Sequence, residues 1–300
     1  MKLIIHGGAG ADSPFLRKHQ HEYYCALQDI ICKGYQLLIQ RGTAIEVVKE
    51  TVAMLEDNYL FNAGRGSALN NDGNVEMDAA IMDGKTRSAG AVALVTKAIN
   101  PVRLADAVRS HTPHMLLGGV GADVFAVEQG LATADCEHFV VAHQKELWRE
   151  HKASLKVNDQ LKGTVGAVAI DCNGDIAAAT STGGITGKRS GRIGDSCIIG
   201  AGCYADNRTC AVSGTGDGEI LMGELIAVQI ANTLQTSDLD LQDACESVVM
   251  NIEKSKGDVG LIAVASDGQI GLAFNSERMI RAWIDEKKKP NIGIYRDLLK

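Results

Sequence analysis

Lys162-Gly163-Thr164-Val165-Gly166-Ala167-Val168-Ala169-Ile170-Asp171 is the stretch on which the reading of this 300-residue chain turns. Within two residues a solvated segment gives way to a run of small and apolar side chains, the pattern of a strand buried on both faces. Upstream, eight of the twenty residues 144–163 are charged (Lys145, Glu146, Arg149, Glu150, Lys152, Lys156, Asp159, Lys162) and helical periodicity fades. That segment reads as an exposed, mobile linker. Downstream, Cys172-Asn173-Gly174 is an Asn-Gly turn signal, and residues 175–181 read as the returning strand of a hairpin. A threonine thus opens a buried strand directly after a glycine and an exposed segment.

Outward from this centre the chain alternates strands and helices in both halves. Residues 2–6 read as a strand entering Gly7-Gly8-Ala9-Gly10. Tyr23, Leu27, Ile30, Ile31, Gly34, Leu37 and Leu38 share one face of a long helix that Gly42 stops. Thr43-x-x-Glu46 is a capping box for a second amphipathic helix carrying Ile45, Val48, Val52 and Leu55. A turn-rich stretch, 57–73, precedes strands at 75–82 and 90–95, and Pro101 opens a further helix as its first residue. Beyond the central hairpin, helices are expected at about 218–234 and 241–254, and strands near 260–265 and 270–274.

Composition narrows the functional classes. Hydrophobic residues make up 45% and charged residues 22%, as in ordinary globular domains, so wholesale disorder is excluded. A net charge of -7 lacks the basic stripe of a nucleic-acid binder, and the short run Lys287-Lys288-Lys289 reads as a solvated loop. No stretch approaches the roughly 18 apolar residues of a membrane span, and residues 1–6 are too short for a signal-peptide core, so a cytoplasmic protein is expected. The eight cysteines contain no C-x-x-C pair, and the histidines show no metal-binding spacing, so no metal site is written in side chains. The 33 glycines follow no three-residue period but gather in bursts, as where backbone approaches something closely.

A phosphate loop would need Gly-Lys-Ser/Thr, whereas Gly187-Lys188 is followed by Arg189. Gly200-Ala201-Gly202-Cys203-Tyr204-Ala205 satisfies the dinucleotide fingerprint, but Asp206-Asn207-Arg208-Thr209 follows as a polar turn where a helix is required. No G-x-S-x-G elbow is present for a serine triad. A hydroxyl can instead be activated when it belongs to the first residue of a chain, whose α-amine, with a pKa near 7.7–8, serves as its base. Gly163-Thr164 has the local form for such an enzyme after a cut. Taken alone, it also fits a β-branched residue in its preferred place.

The remaining blocks decide between these. His6-Gly7-Gly8-Ala9-Gly10, Leu60-Phe61-Asn62-Ala63-Gly64-Arg65-Gly66-Ser67, residues 76–84 (EMDAAIMDG), Gly163-Thr164-Val165-Gly166, Ser181-Thr182-Gly183-Gly184, Gly191-Arg192-Ile193-Gly194-Asp195-Ser196, Gly200-Ala201-Gly202 and Gly214-Thr215-Gly216-Asp217-Gly218-Glu219 occur in this order. In this the chain resembles the plant-type asparaginase and isoaspartyl peptidase family, the threonine N-terminal-nucleophile amidohydrolases, from residue 4 to about 295.

The resemblance implies an α+β fold, the αββα four-layer sandwich of N-terminal-nucleophile hydrolases. It implies one domain, 1–300, cut between Gly163 and Thr164 into an α subunit (1–163) and a β subunit (164–300) that assemble as (αβ)₂. Thr164 is then the nucleophile, and Thr182 helps set its proton state. Arg192 and Asp195 grip the α-carboxylate and α-ammonium of the substrate, with Gly218 completing the head-group pocket. Thr215 and Gly216 supply the oxyanion hole; Asn62 supports the nucleophile, and Gly7 offers a backbone contact near it. The substrates implied are β-aspartyl dipeptides and L-asparagine, with no cofactor beyond a structural sodium ion held by backbone carbonyls of the 55–66 loop. Asp217 would add a negative charge beside the site, and Lys188 with Arg189 would make the loop before Arg192 basic, favouring acidic leaving groups. The rival readings are a glycosylasparaginase-like amidase and an uncleaved glycine-rich protein that binds amino acids or nucleotides.

Overall fold

A computed structural model describes residues 1–154, 163–253, 256–284, 288–296 and 298–299. In chain order its elements are β1 (Lys2–Gly10), α1 (Pro14–Lys18), α2 (Gln20–Ile39), α3 (Ala44–Glu56), β2 (Met77–Asp83), β3 (Ala89–Val95), α4 (Pro101–His111), β4 (Leu116–Gly118), α5 (Gly119–Glu128), α6 (Cys136–Phe139) and α7 (Ala142–Ala153). The second half adds β5 (Val165–Ile170), β6 (Ile176–Thr182), a 3₁₀ turn (Asp195–Cys197), β7 (Cys203–Ala205), β8 (Cys210–Gly216), α8 (Gly218–Gly223), α9 (Ile226–Thr236) and α10 (Leu241–Met250). It ends with β9 (Val259–Ala265), β10 (Ile270–Phe274), β11 (Arg278–Ile284), β12 (Pro290–Gly293) and β13 (Leu298–Leu299).

Among the described residues the strands form two sheets, ordered β13-β12-β11-β1-β5-β6-β2-β3-β4 and β10-β9-β8-β7. The β5–β6 hairpin pairs Val165 with Ser181 and Ile170 with Ile176, and Gly174 closes its turn at φ 82°. The Asp171 carboxylate at the end of β5 accepts the Ala44 N–H, so the hairpin also caps α3.

Strand alternation sorts the small apolar residues into separate cores. Leu3, Ile5, Ala167, Ala169, Ala177 and Ala179 pack under Leu27, Ile31, Val48 and Val52 of α2 and α3. Their neighbours Ile4, Val168, Ala178 and Met279 face Cys203, Ala211, Ile262 and Val264 of the smaller sheet. That sheet's other face, with Val212, Leu261 and Ala263, is covered by Leu221, Ile226, Ile230, Leu241 and Val249 of α8–α10. Both faces of the central strands are dry, which is why they read as unbroken apolar runs rather than alternating ones.

The Thr43–Glu46 capping box forms as expected, and Pro101 occupies the first turn of α4. Two expectations need correction. The charged stretch is not linker throughout: residues 142–153 form α7, whose Trp148 indole N–H donates to the Asn70 carbonyl at 2.8 Å. It has no fully buried residue and is anchored by the partly buried Trp148, too little to give a clear period; residues 155–162 lie outside the described set, as does Lys287. The helix expected at 218–234 is broken, because Leu225 takes φ 49° and starts α9 afresh. The sequence reading assigned no strand beyond residue 274; in β11 the apolar pattern is interrupted by Arg278 and Arg281, which are buried beside β1.

Candidate active site

The nucleophile candidate sits where the two halves of the chain meet. Thr164 is 5% exposed and directly precedes β5, between β1 and β6. β1 shifts register between His6 and Gly8, a bulge that carries its backbone towards the Gly163–Thr164 peptide. Gly8 adopts φ 112°, and a Cβ there would lie 3.0 Å from Gly163 Cα and 3.3 Å from Thr164 N. Gly8 thus makes a close approach to this peptide, and Gly7 lines the adjoining cavity together with Gly163.

Two donors converge on the Gly163 carbonyl: Asn62 Nδ2 at 2.8 Å and Thr182 Oγ1 at 2.9 Å. Asn62 is locked by two further bonds, donating to Gly184 O (2.6 Å) and accepting from Ala68 N (2.7 Å). Thr182 Oγ1 in turn accepts the Gly184 N–H at 3.0 Å. Thr215, fully buried on β8, accepts the Ala9 N–H at 3.1 Å, which ties β8 to the chain beside Gly8 and leaves its own hydroxyl hydrogen to donate.

Arg192, Asp195 and Gly218 come together. A Cβ on Gly218 would stand 2.7 Å from Arg192 Nη2 and 2.9 Å from Asp195 Oδ1, so a larger residue there would push these two side chains aside. Arg192 is not paired with Asp195, however. Its Nε and Nη2 bind the Glu219 carboxylate at 3.0 and 2.9 Å, with the arginine side chain 17% and the glutamate 60% exposed. The other guanidinium edge remains for an incoming carboxylate. Asp195 is buried with Oδ2 unpartnered, and burial raises its carboxyl to about 7 despite Arg192 nearby. A buried carboxyl with an unpartnered oxygen can receive an ammonium group once it is ionised.

Sequence reading missed the supports of this turn. Asp78 on β2 accepts Gly194 N at 3.1 Å and Leu94 N at 2.9 Å, and Glu76 accepts Gly191 N. Lys188 is buried and donates to the Glu76 carbonyl at 2.6 Å, so it does not make the loop surface basic; Arg189 alone is exposed. Asp217 turns towards Gly257 and Asp258, accepting the Asp258 N–H at 3.3 Å. His6, to which the sequence assigned no role, contacts Ser213 Oγ at 2.9 Å, and Ser213 contacts Thr180 at 2.7 Å. Burial lowers the ring to about 3, against the opposing effect of the Thr164 backbone, so it is neutral. The only clue was its place in the first glycine burst.

A family model described as asparaginase matches residues 1–294. The chain belongs to the asparaginase family. It is 44% identical to an isoaspartyl peptidase of Salmonella typhimurium, over 98% of each chain. It is 43% identical to the isoaspartyl peptidase of Escherichia coli (98% of this chain, 96% of the relative) and 41% identical to the human isoaspartyl peptidase/L-asparaginase (98% and 96%). Mixed helices and sheets are in keeping with this asparaginase family membership. Among the described residues no helix is long and apolar enough to cross a membrane, and no group of three or more His, Cys, Asp or Glu could hold a metal ion.

Proposed function

We propose that the chain is a self-processing amidohydrolase that cleaves β-aspartyl dipeptides and L-asparagine and releases L-aspartate. The observation that carries this reading is the paired grip of Asn62 and Thr182 on the carbonyl immediately before Thr164. Names of relatives at 36–44% identity, isoaspartyl peptidase and isoaspartyl peptidase/L-asparaginase, support the substrate class.

In the first reaction Thr164 Oγ attacks the Gly163 carbonyl, whose developing charge the two donors stabilise. The Gly163–Thr164 C–N bond breaks to give an ester, and water hydrolyses it to chains 1–163 and 164–300. Thr164 now carries a free amine that accepts the proton of its own hydroxyl. Oγ attacks the side-chain carbonyl of a substrate held through its α-carboxylate by Arg192 and its α-ammonium by Asp195, beside Gly218. The Thr215 hydroxyl and Gly216 N–H stabilise the oxyanion, and the amine passes the proton to the leaving nitrogen. Water then releases L-aspartate from the β-aspartyl ester, completing an acyl transfer.

The same reading includes the αββα four-layer arrangement, supported by the three separate apolar cores. It includes pairing as (αβ)₂ and a cytoplasmic location, the latter in keeping with eight unpaired cysteines among the described residues. A structural sodium ion in the 55–66 loop would be held by main-chain carbonyls.

Denaturing electrophoresis with N-terminal sequencing tests the proposal. The mature protein should yield a chain beginning at Thr164, and Thr164→Ala should remain a single inactive chain. A persistent uncut band in the wild-type protein would favour a binding protein. Activity confined to glycosylated asparagine would favour the glycosylasparaginase alternative.

A further inference from the structure

The mechanism leaves the buried charge of Arg278 without a task. Arg278 on β11 is 7% exposed; its Nε donates to Ala11 O at 3.0 Å and its Nη1 to Gly8 O at 3.3 Å. Among the described residues no carboxylate forms an ion pair with it; Asp12 and Asp258 act on it only from further away. A guanidinium has five N–H groups, so three remain beyond the two given to these carbonyls. Placing such a cation in the interior without an anion is costly.

The side chain lines a cavity of about 50 Å³ together with Gly7, Tyr23, Asn62, Gln144 and Gly163. That is well above the roughly 10–15 Å³ needed to admit a single water-sized group, so a carboxylate has room to enter. A second group in the cavity is also unmatched: the Gln144 amide has a buried oxygen with no partner, and a half-turn of that amide would present its N–H₂ instead.

The position of this cavity gives it meaning. Gly163 is bonded to the Thr164 nitrogen, so the space Gly163 lines lies just beyond that nitrogen. In the proposed reaction the same nitrogen protonates the leaving amine, which must therefore depart on that side. We infer that Arg278 and this cavity form a leaving-group subsite for the free α-carboxylate of the residue released from a β-aspartyl dipeptide. The inference rests on the β-aspartyl reading above and deepens it: ammonia, the leaving group of L-asparagine, has nothing for Arg278 to bind. The Gly163 carboxylate created by the cut has the same chemistry, and the experiment separates the two sources.

The test compares kcat/KM for β-aspartyl-alanine and its C-terminal amide in the wild type, Arg278→Gln and Arg278→Lys. The wild type should favour the free acid at least tenfold, Arg278→Gln should bring the ratio near one, and Arg278→Lys should lie between. Thermal melting follows folding; if the glutamine variant does not fold, the lysine variant and the wild-type ratio carry the test. A wild type indifferent to the amide, or variants that lose both substrates by one factor, would overturn the subsite. The second result would assign Arg278 to holding the Gly8 and Ala11 carbonyls, or to the Gly163 carboxylate. Failure of the wild type on every β-aspartyl substrate would instead defeat the parent reading, and the subsite with it.

Discussion

Asp195 couples the head-group pocket to pH in a way that can be worked from its surroundings. Burial lifts its carboxyl from 3.8 to about 7, so the empty folded protein keeps a proton that the unfolded chain releases between those values. Stability contributed by this group is complete below pH 3.8 and is lost as pH rises to about 7. At about 1.36 kcal/mol per unit the loss is on the order of 4 kcal/mol. A ligand ammonium needs the ionised form, so binding below pH 7 must expel that proton. Affinity for L-aspartate should therefore fall by roughly tenfold per unit from pH 7 to pH 5 in the cleaved enzyme. Calorimetric titration in buffers of different ionisation heat should count about one proton released per ligand at pH 6. Asp195→Asn should bind at least ~100-fold more weakly at pH 7, lose this pH dependence and proton release, and be more stable than the wild type at pH 8. Wild-type affinity varying less than threefold across that range, or an asparagine variant that retains the slope, would refute the reasoning.

Three further outcomes are expected. Asn62→Ala removes one of two donors from the Gly163 carbonyl and should slow the appearance of the 164–300 chain on denaturing gels by about 10²-fold. Glu56 is fully buried at the end of α3; burial raises its carboxyl from 4.5 to about 8, with Ser181 and the Val102 amide opposing. Stability should thus decline from pH 4.5 to 8, by on the order of 4–5 kcal/mol for this group, and Glu56→Gln should flatten that decline in denaturant titrations. Replacing sodium by N-methylglucamine at constant ionic strength should lower the melting temperature if the 55–66 loop holds the ion, and an unchanged melting curve would remove it.

The local elements were legible because their signals lie in neighbouring residues. Thr43 and Glu46 are three apart, the Asn173-Gly174 turn joins adjacent strands, and the apolar run after Thr164 announces a strand dry on both faces. The same adjacency hid α7, whose charges outweigh its few anchoring side chains, and β11, whose two arginines look solvated until their partners are known. The ordered glycine and threonine blocks were enough to single out Thr164, Thr182, Arg192, Asp195 and Thr215 as candidates and to suggest the family.

Only the tertiary structure decided how those candidates are arranged. Asn62 reaches Gly163 across 101 residues, Asp78 reaches Gly194 across 116, and Arg278 reaches Gly8 across 270. Burial and charge pairing are properties of such distant neighbours. That is why Lys188 proves to be an interior strut, Arg192 a partner of Glu219, and Asp195 an acid with a vacant oxygen. A pattern along the chain sets which face of an element is apolar; the packing of elements sets which polar atoms are left without partners, and the chemistry begins at those atoms.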